Sequence, residues 1–233
     1  MKQALTIFFL LLFAAPAFAQ DSIPRHTQHQ KKRKWLKRKR ALFSEDGVAV
    51  DIVSNLWLTT PTGIIQKPFK SIGYNISIYK DWPLGHSSFT IALGLGYCVE
   101  NVQNNGQFLY TSNNTQTFLY PLQVPYTSNR LTSEWVEIPL EIRLRTKGNG
   151  PFRFYLGAKA GIDVANYYQF MDHDTKLREY NVKNLNWYRY GVYSRLGYGY
   201  FNLFAYYGLS EVFMHGRGPV LTPAAVGLSV MLR

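Results

Sequence analysis

The chain has one cysteine, Cys98, in 233 residues. A single thiol excludes an intramolecular disulfide framework and a cysteine-based zinc site. Past residue 40 no stretch approaches the 18 or so apolar residues of a membrane-crossing helix. Charge is also scarce through most of the chain. The formal net charge is +12, yet the segment KKRKWLKRKR, Lys31 to Arg40, holds eight Lys or Arg in ten positions. From Ala41 onward 16 Lys or Arg face 13 Asp or Glu, so the body is nearly neutral and the high pI does not describe a basic globular domain. His26, His29 and His86 lack metal-ligand spacing.

The amino terminus decides what the basic run can do. Lys2 precedes ALTIFFLLLFAAPAF and then Ala17-Phe18-Ala19, a small-x-small site before Gln20. This is the pattern of a secretory signal peptide over 1–19. The apolar run is short for a spanning helix, and Pro16 interrupts its end. Export carries the basic run away from nucleic acid, so no nucleic-acid partner is expected. Residues 20–46 then form a polar, basic, disordered-looking arm, and 47–233 suit one domain.

What the chain does have is aromatic residues, 17 Tyr, 15 Phe and 5 Trp, and its body has long alternating segments. In SFTIALGLGYCVE, Phe89, Ile91, Leu93, Leu95, Tyr97 and Val99 share one face and the smaller residues the other, the period of a strand. In WVEIPLEIRLR the face Val136, Ile138, Leu140, Ile142, Leu144 is aliphatic, while Glu137, Glu141, Arg143 and Arg145 lie opposite. A soluble sandwich would bury the first face; a transmembrane barrel would turn it to lipid and the second into its lumen.

Three features favour the barrel. The segments run about ten to fifteen residues, whereas strands in soluble sheets are typically about five or six. Gly94, Gly96, Gly157, Gly161, Gly191, Gly197 and Gly199 fall on the polar face, where a narrow bore needs room. The connectors alternate between short and long. Strands are expected near Val48 to Leu58, Lys70 to Lys80, Ser87 to Asn101, Thr132 to Thr146, Phe152 to Asn166, Asn186 to Tyr200, Leu203 to Phe213 and Pro223 to Arg233. Short turns fall at Asp81 to His86, Lys147 to Pro151 and Phe201 to Asn202. The predicted fold is all-β, an eight-stranded antiparallel transmembrane barrel with short periplasmic turns, long extracellular loops and both termini in the periplasm. Trp57, Trp82, Trp135 and Trp187 lie near strand ends, where interfacial girdles belong, with a buried aromatic core as the alternative for some.

The expected lumen set is Asp51, Glu100, Glu137, Glu141 and Asp163 opposite Arg143, Arg145, Arg153, Lys159, Arg189 and Arg195. In a bore just wide enough for side chains these groups should neutralise one another; a conducting or proton-relay path is the functional alternative.

The segments EWVEIPLEIRLR, FYLGAKAGIDV, YGVYSRLGYGYFNLFAYYGLSEVF and PAAVGLSVML resemble the PorT family of outer-membrane β-barrels from Bacteroidota, over roughly Val48 to Arg233. The resemblance implies a small outer-membrane barrel and, for the family's founding member, a role with type IX protein secretion. It carries no catalytic residues.

Enzymatic signals are thin. Asp172-His173-Asp174, with His215, could form a metal or acid/base cluster, but such a triplet in a polar loop reads first as solvated surface. Ser210 and Glu211 could serve a rim hydrolase. Asn75-Ile-Ser77 and Asn113-Asn-Thr115 match the glycosylation pattern, which carries little weight in a bacterial envelope. The loop NNGQFLYTSNNTQTFLYPLQVPYTSNR is uncharged until Arg130 and is either a recognition surface or a self-packed cap. The arm residues Lys31, Lys32, Arg33, Lys34, Lys37, Arg38, Lys39 and Arg40 hang from the periplasmic end, where they can meet anionic headgroups, peptidoglycan or an acidic partner. The expectation is a non-enzymatic barrel, without cofactor or metal, acting as an accessory or scaffold in an envelope assembly. Its partners are outer-membrane lipid and periplasmic or outer-membrane components. A small-solute or ion channel and a rim hydrolase are the alternatives.

Overall fold

The computed structural model describes residues 47–84, 88–146 and 152–232. The expected leader, the basic arm, His86 and the Lys147 to Pro151 turn lie outside the described residues. Strands are β1 (Gly47–Trp57), β2 (Ile72–Pro83), β3 (Phe89–Gln103), β4 (Gly106–Tyr110), β5 (Thr117–Pro121), β6 (Ser128–Arg145), β7 (Phe152–Met171), β8 (Lys176–Tyr180), β9 (Tyr188–Tyr198), β10 (Phe201–Gly208) and β11 (Pro223–Leu232).

Eight of them close into an antiparallel barrel, β1-β2-β3-β6-β7-β9-β10-β11 and back to β1, as the alternation predicts. Closure leaves the barrel without an open sheet edge. β8 is an outrigger on the far end of β7, and β4 and β5 form a separate hairpin.

The two-period pattern places polar residues inside and apolar ones outside. Along β2, Ile72, Tyr74, Ile76 and Ile78 face out while Gly73, Asn75, Ser77 and Tyr79 face in. Ile52 and Leu228 are 61% and 62% exposed, whereas Glu141 and Arg143 are 0% and 1%. A water-facing apolar wall of this extent would be a liability, but a lipid-facing one is what a membrane barrel requires.

The structure corrects several boundaries. The seventh barrel strand, β10, starts at Phe201 and ends at Gly208, so the expected turn at Phe201 to Asn202 falls instead at Gly199 and Tyr200. Gly199 is therefore a turn residue, with φ 62°, and not a lumen residue; a two-residue hairpin favours glycine for that backbone. β2 runs on to Pro83, which takes Asp81 out of the expected turn and buries it inside. β6 and β7 rise past their expected ends and pair with each other from Ser128↔Met171 to Arg145↔Arg153.

Pro139 sits inside β6 at a cost confined to one side. The β3 ladder goes from Leu93↔Leu140 to Gly96↔Glu137, omitting the Pro139 level, because proline has no N–H to give. Pairing with β7 continues through Pro139↔Lys159. Gly157 illustrates the need for small residues in the bore: a Cβ there would lie 2.5 Å from the Tyr193 ring.

Candidate functional site

The bore holds two charged layers beneath an apolar cap. Near the short-turn end, β6 presents Glu141, Arg143 and Arg145 on one face because they alternate at period two. Arg143 donates to Asp81, and its Nε donates to Glu141 Oε2 at 2.5 Å. Arg145 Nη2 donates to Asp81 Oδ2 at 2.7 Å and its Nε to Tyr155 Oη at 2.8 Å. From β9, Arg195 bridges Asp51, at 2.9 Å, and Glu141. Tyr193 donates its hydroxyl to Glu141 Oε1 at 2.7 Å. The Arg143 guanidinium lies over Tyr79 and Tyr155, 4.3 and 5.1 Å from the ring centres, so its faces meet aromatic rings while its edge meets carboxylates.

Nearer the long loops, Arg189 joins Glu137 Oε1 at 2.7 Å and Glu100 Oε2 at 2.6 Å. Lys159 donates to Glu137 Oε2 at 2.9 Å and lies over the Tyr206 ring. Arg189 covers the Trp135 indole at 4.6 Å. The structure therefore brings together Asp51, Glu100, Glu137, Glu141, Arg143, Arg145, Lys159, Arg189 and Arg195. Asp163 accepts from Asn166 at 2.5 Å and makes no ion pair among the described residues. Arg153 meets no carboxylate among them either; its guanidinium stands 5.9 Å from the Tyr200 ring.

Asp81 is the member that sequence reasoning missed. Its signal was the alternation of β2 carried two residues further, which puts Asp81 on the Tyr79 face. With it the bore holds, among the described residues, six carboxylates against six cations.

Side chains fill this space. Two lumen cavities, of about 30 Å³ lined by Trp135, Asp163 and Arg189 and about 10 Å³ lined by Asn75, Lys159 and Tyr206, have room for one or two waters each at most. Above them Trp57, Val102, Phe108, Leu131, Phe213 and Leu221 belong to one apolar cluster. Trp57 and Trp135 are thus buried, whereas Trp82 and Trp187 are 47% and 61% exposed.

The second long loop takes part in that cap. Its β4–β5 hairpin turns Phe108 and Leu119 inward and leaves Leu109, Phe118 and Tyr120 exposed. Phe108 meets Tyr168 and Phe213 edge-on, at 5.2 and 5.7 Å. The loops are stitched together by amides: Asn105 Oδ1 accepts from Ile65 N at 2.6 Å, and Asn184 Nδ2 donates to Thr117 Oγ1 at 2.9 Å. Tyr110 donates its hydroxyl to Glu179 at 2.7 Å. Burial, and then that carboxylate, push the Tyr110 hydroxyl above the ordinary tyrosine range, so it remains a donor.

The loop candidates for chemistry are not assembled. His173 and Asp174 are both 94% exposed and touch each other at 3.3 Å. Ser210 Oγ is engaged with the Tyr190 backbone, accepting from its N–H at 3.1 Å. Among the described residues no group of three or more His, Cys, Asp or Glu is arranged to hold a metal ion.

An inside-out closed barrel with ion-paired contents matches what comparison with known families finds. A family model described as the outer membrane protein beta-barrel domain matches residues 30–214. The chain belongs to that family. The outer-membrane barrel's apolar wall is accordingly its lipid surface, and the protein is integral to the outer membrane. The match runs from just before the basic run to the β10–β11 loop, short of the last barrel strand. No curated protein matches the chain.

Proposed function

We propose that this outer-membrane barrel is a non-enzymatic accessory or scaffold of an envelope assembly, and that the assembly is a protein-secretion system of the type IX kind. The observation that supports this most is the filled bore. Conduction needs a continuous wet path, whereas here Arg143, Arg195, Glu141 and their partners occupy the cross-section and an apolar cluster closes one end. A barrel that moves no solute through itself acts through its surfaces. On our reading these are the basic arm at the periplasmic end, with both termini, and the four long loops outside.

The secretion setting rests on the resemblance of β6 through β11 to PorT-like barrels of Bacteroidota. The partners on this reading are outer-membrane lipid together with periplasmic or outer-membrane components of the assembly. An anionic surface or acidic partner suits the arm, with each Lys or Arg near a negative surface contributing about 1 kcal/mol.

The test is crosslinking in the native envelope, followed by identification of what copurifies with intact and with arm-deleted protein. Defined secretion components, weakened by arm deletion, are the expected result. A barrel recovered alone from both samples would overturn the accessory reading. For the rim-hydrolase alternative, loss of a hydrolytic activity in His173→Ala is the result that would revive it.

A further inference from the structure

The β4–β5 hairpin is a two-stranded sheet of its own, so β5 has an outer edge that β4 does not cover. The hydrogen bonds at the two ends of the hairpin fix the direction of every main-chain group between them. Thr111 N donates to Gln116 O at 3.1 Å and Leu122 N to Asn105 O at 2.8 Å, so Gln116, Phe118, Tyr120 and Leu122 turn their main chain towards β4. Thr117, Leu119 and Pro121 turn theirs away. Thr117 shows this directly, its N–H donating to Arg217 O at 2.8 Å in the loop before β11.

The next outward residue, Leu119, finds no such partner. Its N–H and C=O make no hydrogen bond among the described residues, although Leu119 is only 5% exposed. Buried main-chain groups are almost always paired. An open groove of about 380 Å³ runs beside this edge, with Pro61, Phe118, Leu119, Tyr120, Gly218 and Pro219 in its lining. The 216–219 wall does not complete the ladder, because the Arg217 carbonyl is spent on Thr117 and Pro219 has no N–H to give.

The edge also lacks the usual guards. Exposed strand edges are commonly blocked by charge, yet no Lys, Arg, Asp or Glu stands between Glu100 and Arg130, and none lines the groove. A charged ligand would shed its water against walls that offer no counter-charge. The matching ligand is therefore neutral, and it carries its own paired N–H and C=O.

We propose that the outer edge of β5 is a docking site for an extended, uncharged segment of a partner protein, which adds to the β4–β5 hairpin as a third strand. Leu119 exchanges both main-chain hydrogen bonds with one residue of the incoming segment. Alternate side chains of that segment lie beside Phe118 and Tyr120, which are 42% and 51% exposed on the outer face of the hairpin. The site gives the scaffold reading a contact surface, and it does not rest on the secretion setting.

The experiment uses the full-length protein in detergent micelles with its leucines labelled with nitrogen-15. Each variant is first shown to be folded by the compact gel band that converts to the unfolded one on heating. The probe is a short peptide of alternating valine and threonine, acetylated and amidated so that it carries no charge. Its addition should slow hydrogen exchange at the Leu119 amide by at least about tenfold. Tyr120→Lys, at an exposed position, should weaken the effect, and methylating alternate peptide nitrogens should abolish it. An unchanged Leu119 amide at saturating peptide would overturn the proposal. So would an equal response to the methylated peptide, which would mean apolar adsorption without strand pairing. Protection of Leu119 that rises with protein concentration in the absence of peptide, and is lost in Tyr120→Lys, would assign the edge to a second copy of this chain instead.

Discussion

Glu141→Gln is expected to cost the barrel about 3 kcal/mol, the lower part of the range for removing one member of a buried ion pair. The substitution preserves volume, so no cavity contributes. Glu141 Oε1 accepts from Tyr193 and Arg195, and Oε2 from Arg143 Nε. An amide can keep the first set with its oxygen but then points an N–H group at the Arg143 Nε–H. Arg143 retains Asp81 and Arg195 retains Asp51, which holds the loss below that of an isolated buried charge. With roughly 2–4 °C of midpoint per kcal/mol in a domain of this size, the compact band should convert about 6–12 °C earlier on heating. Glu134→Gln is the control. Glu134 accepts from Tyr97 at 2.5 Å outside the bore, so its loss leaves the ion pairs of the lumen intact. Equal shifts for the two variants would refute the claim that the bore's ion pairs set stability.

Four further outcomes follow from the packing. Gly157→Ala should push the Tyr193 ring off Glu141 and destabilise the barrel by about 1–3 kcal/mol, measured by the same heat-dependent mobility. Phe108→Ala should loosen the cap and render the 104–127 loop sensitive to added protease on intact cells, whereas Phe118→Ala, on the exposed face of the hairpin, should not. The Cys98 thiol, buried at 4% exposure, should resist maleimide until the barrel is unfolded by heat. In planar bilayers the wild-type barrel should show no steady conductance; ohmic currents at low voltage would contradict a filled bore.

Much of the barrel was legible because a strand's two faces are written at period two. Ile72, Ile76 and Ile78, or Ile138 and Ile142, declare one surface, and Glu137, Glu141 and Arg143 the other. Misreadings came where that period competes with turn signals. Asp81 stands close to Pro83 and Gly85, which read as a turn, yet β2 extends because its ladder with β3 continues through Pro83↔Thr90. Around Gly197 and Gly199 the sequence offers two glycines for one turn, and only the pairing Tyr198↔Phe201 selects the second. The long 104–127 loop was ambiguous because its two apolar FLY segments have the same composition whether they face a partner or the cap. The structure uses both faces, with Phe108 and Leu119 in and Leu109 and Phe118 out.

By itself the sequence determined which residues look into the bore and which look outward, since alternation in a strand is a local property of the backbone. It also determined the number of barrel strands and the near-neutral content of the lumen. Only the tertiary structure decided who meets whom there. Asp51 and Arg195 are 144 positions apart, and Arg189 and Glu100 are 89 apart. Such pairings depend on register and closure around the whole barrel, so each is fixed by the ladders between all eight strands and by none of the segments alone.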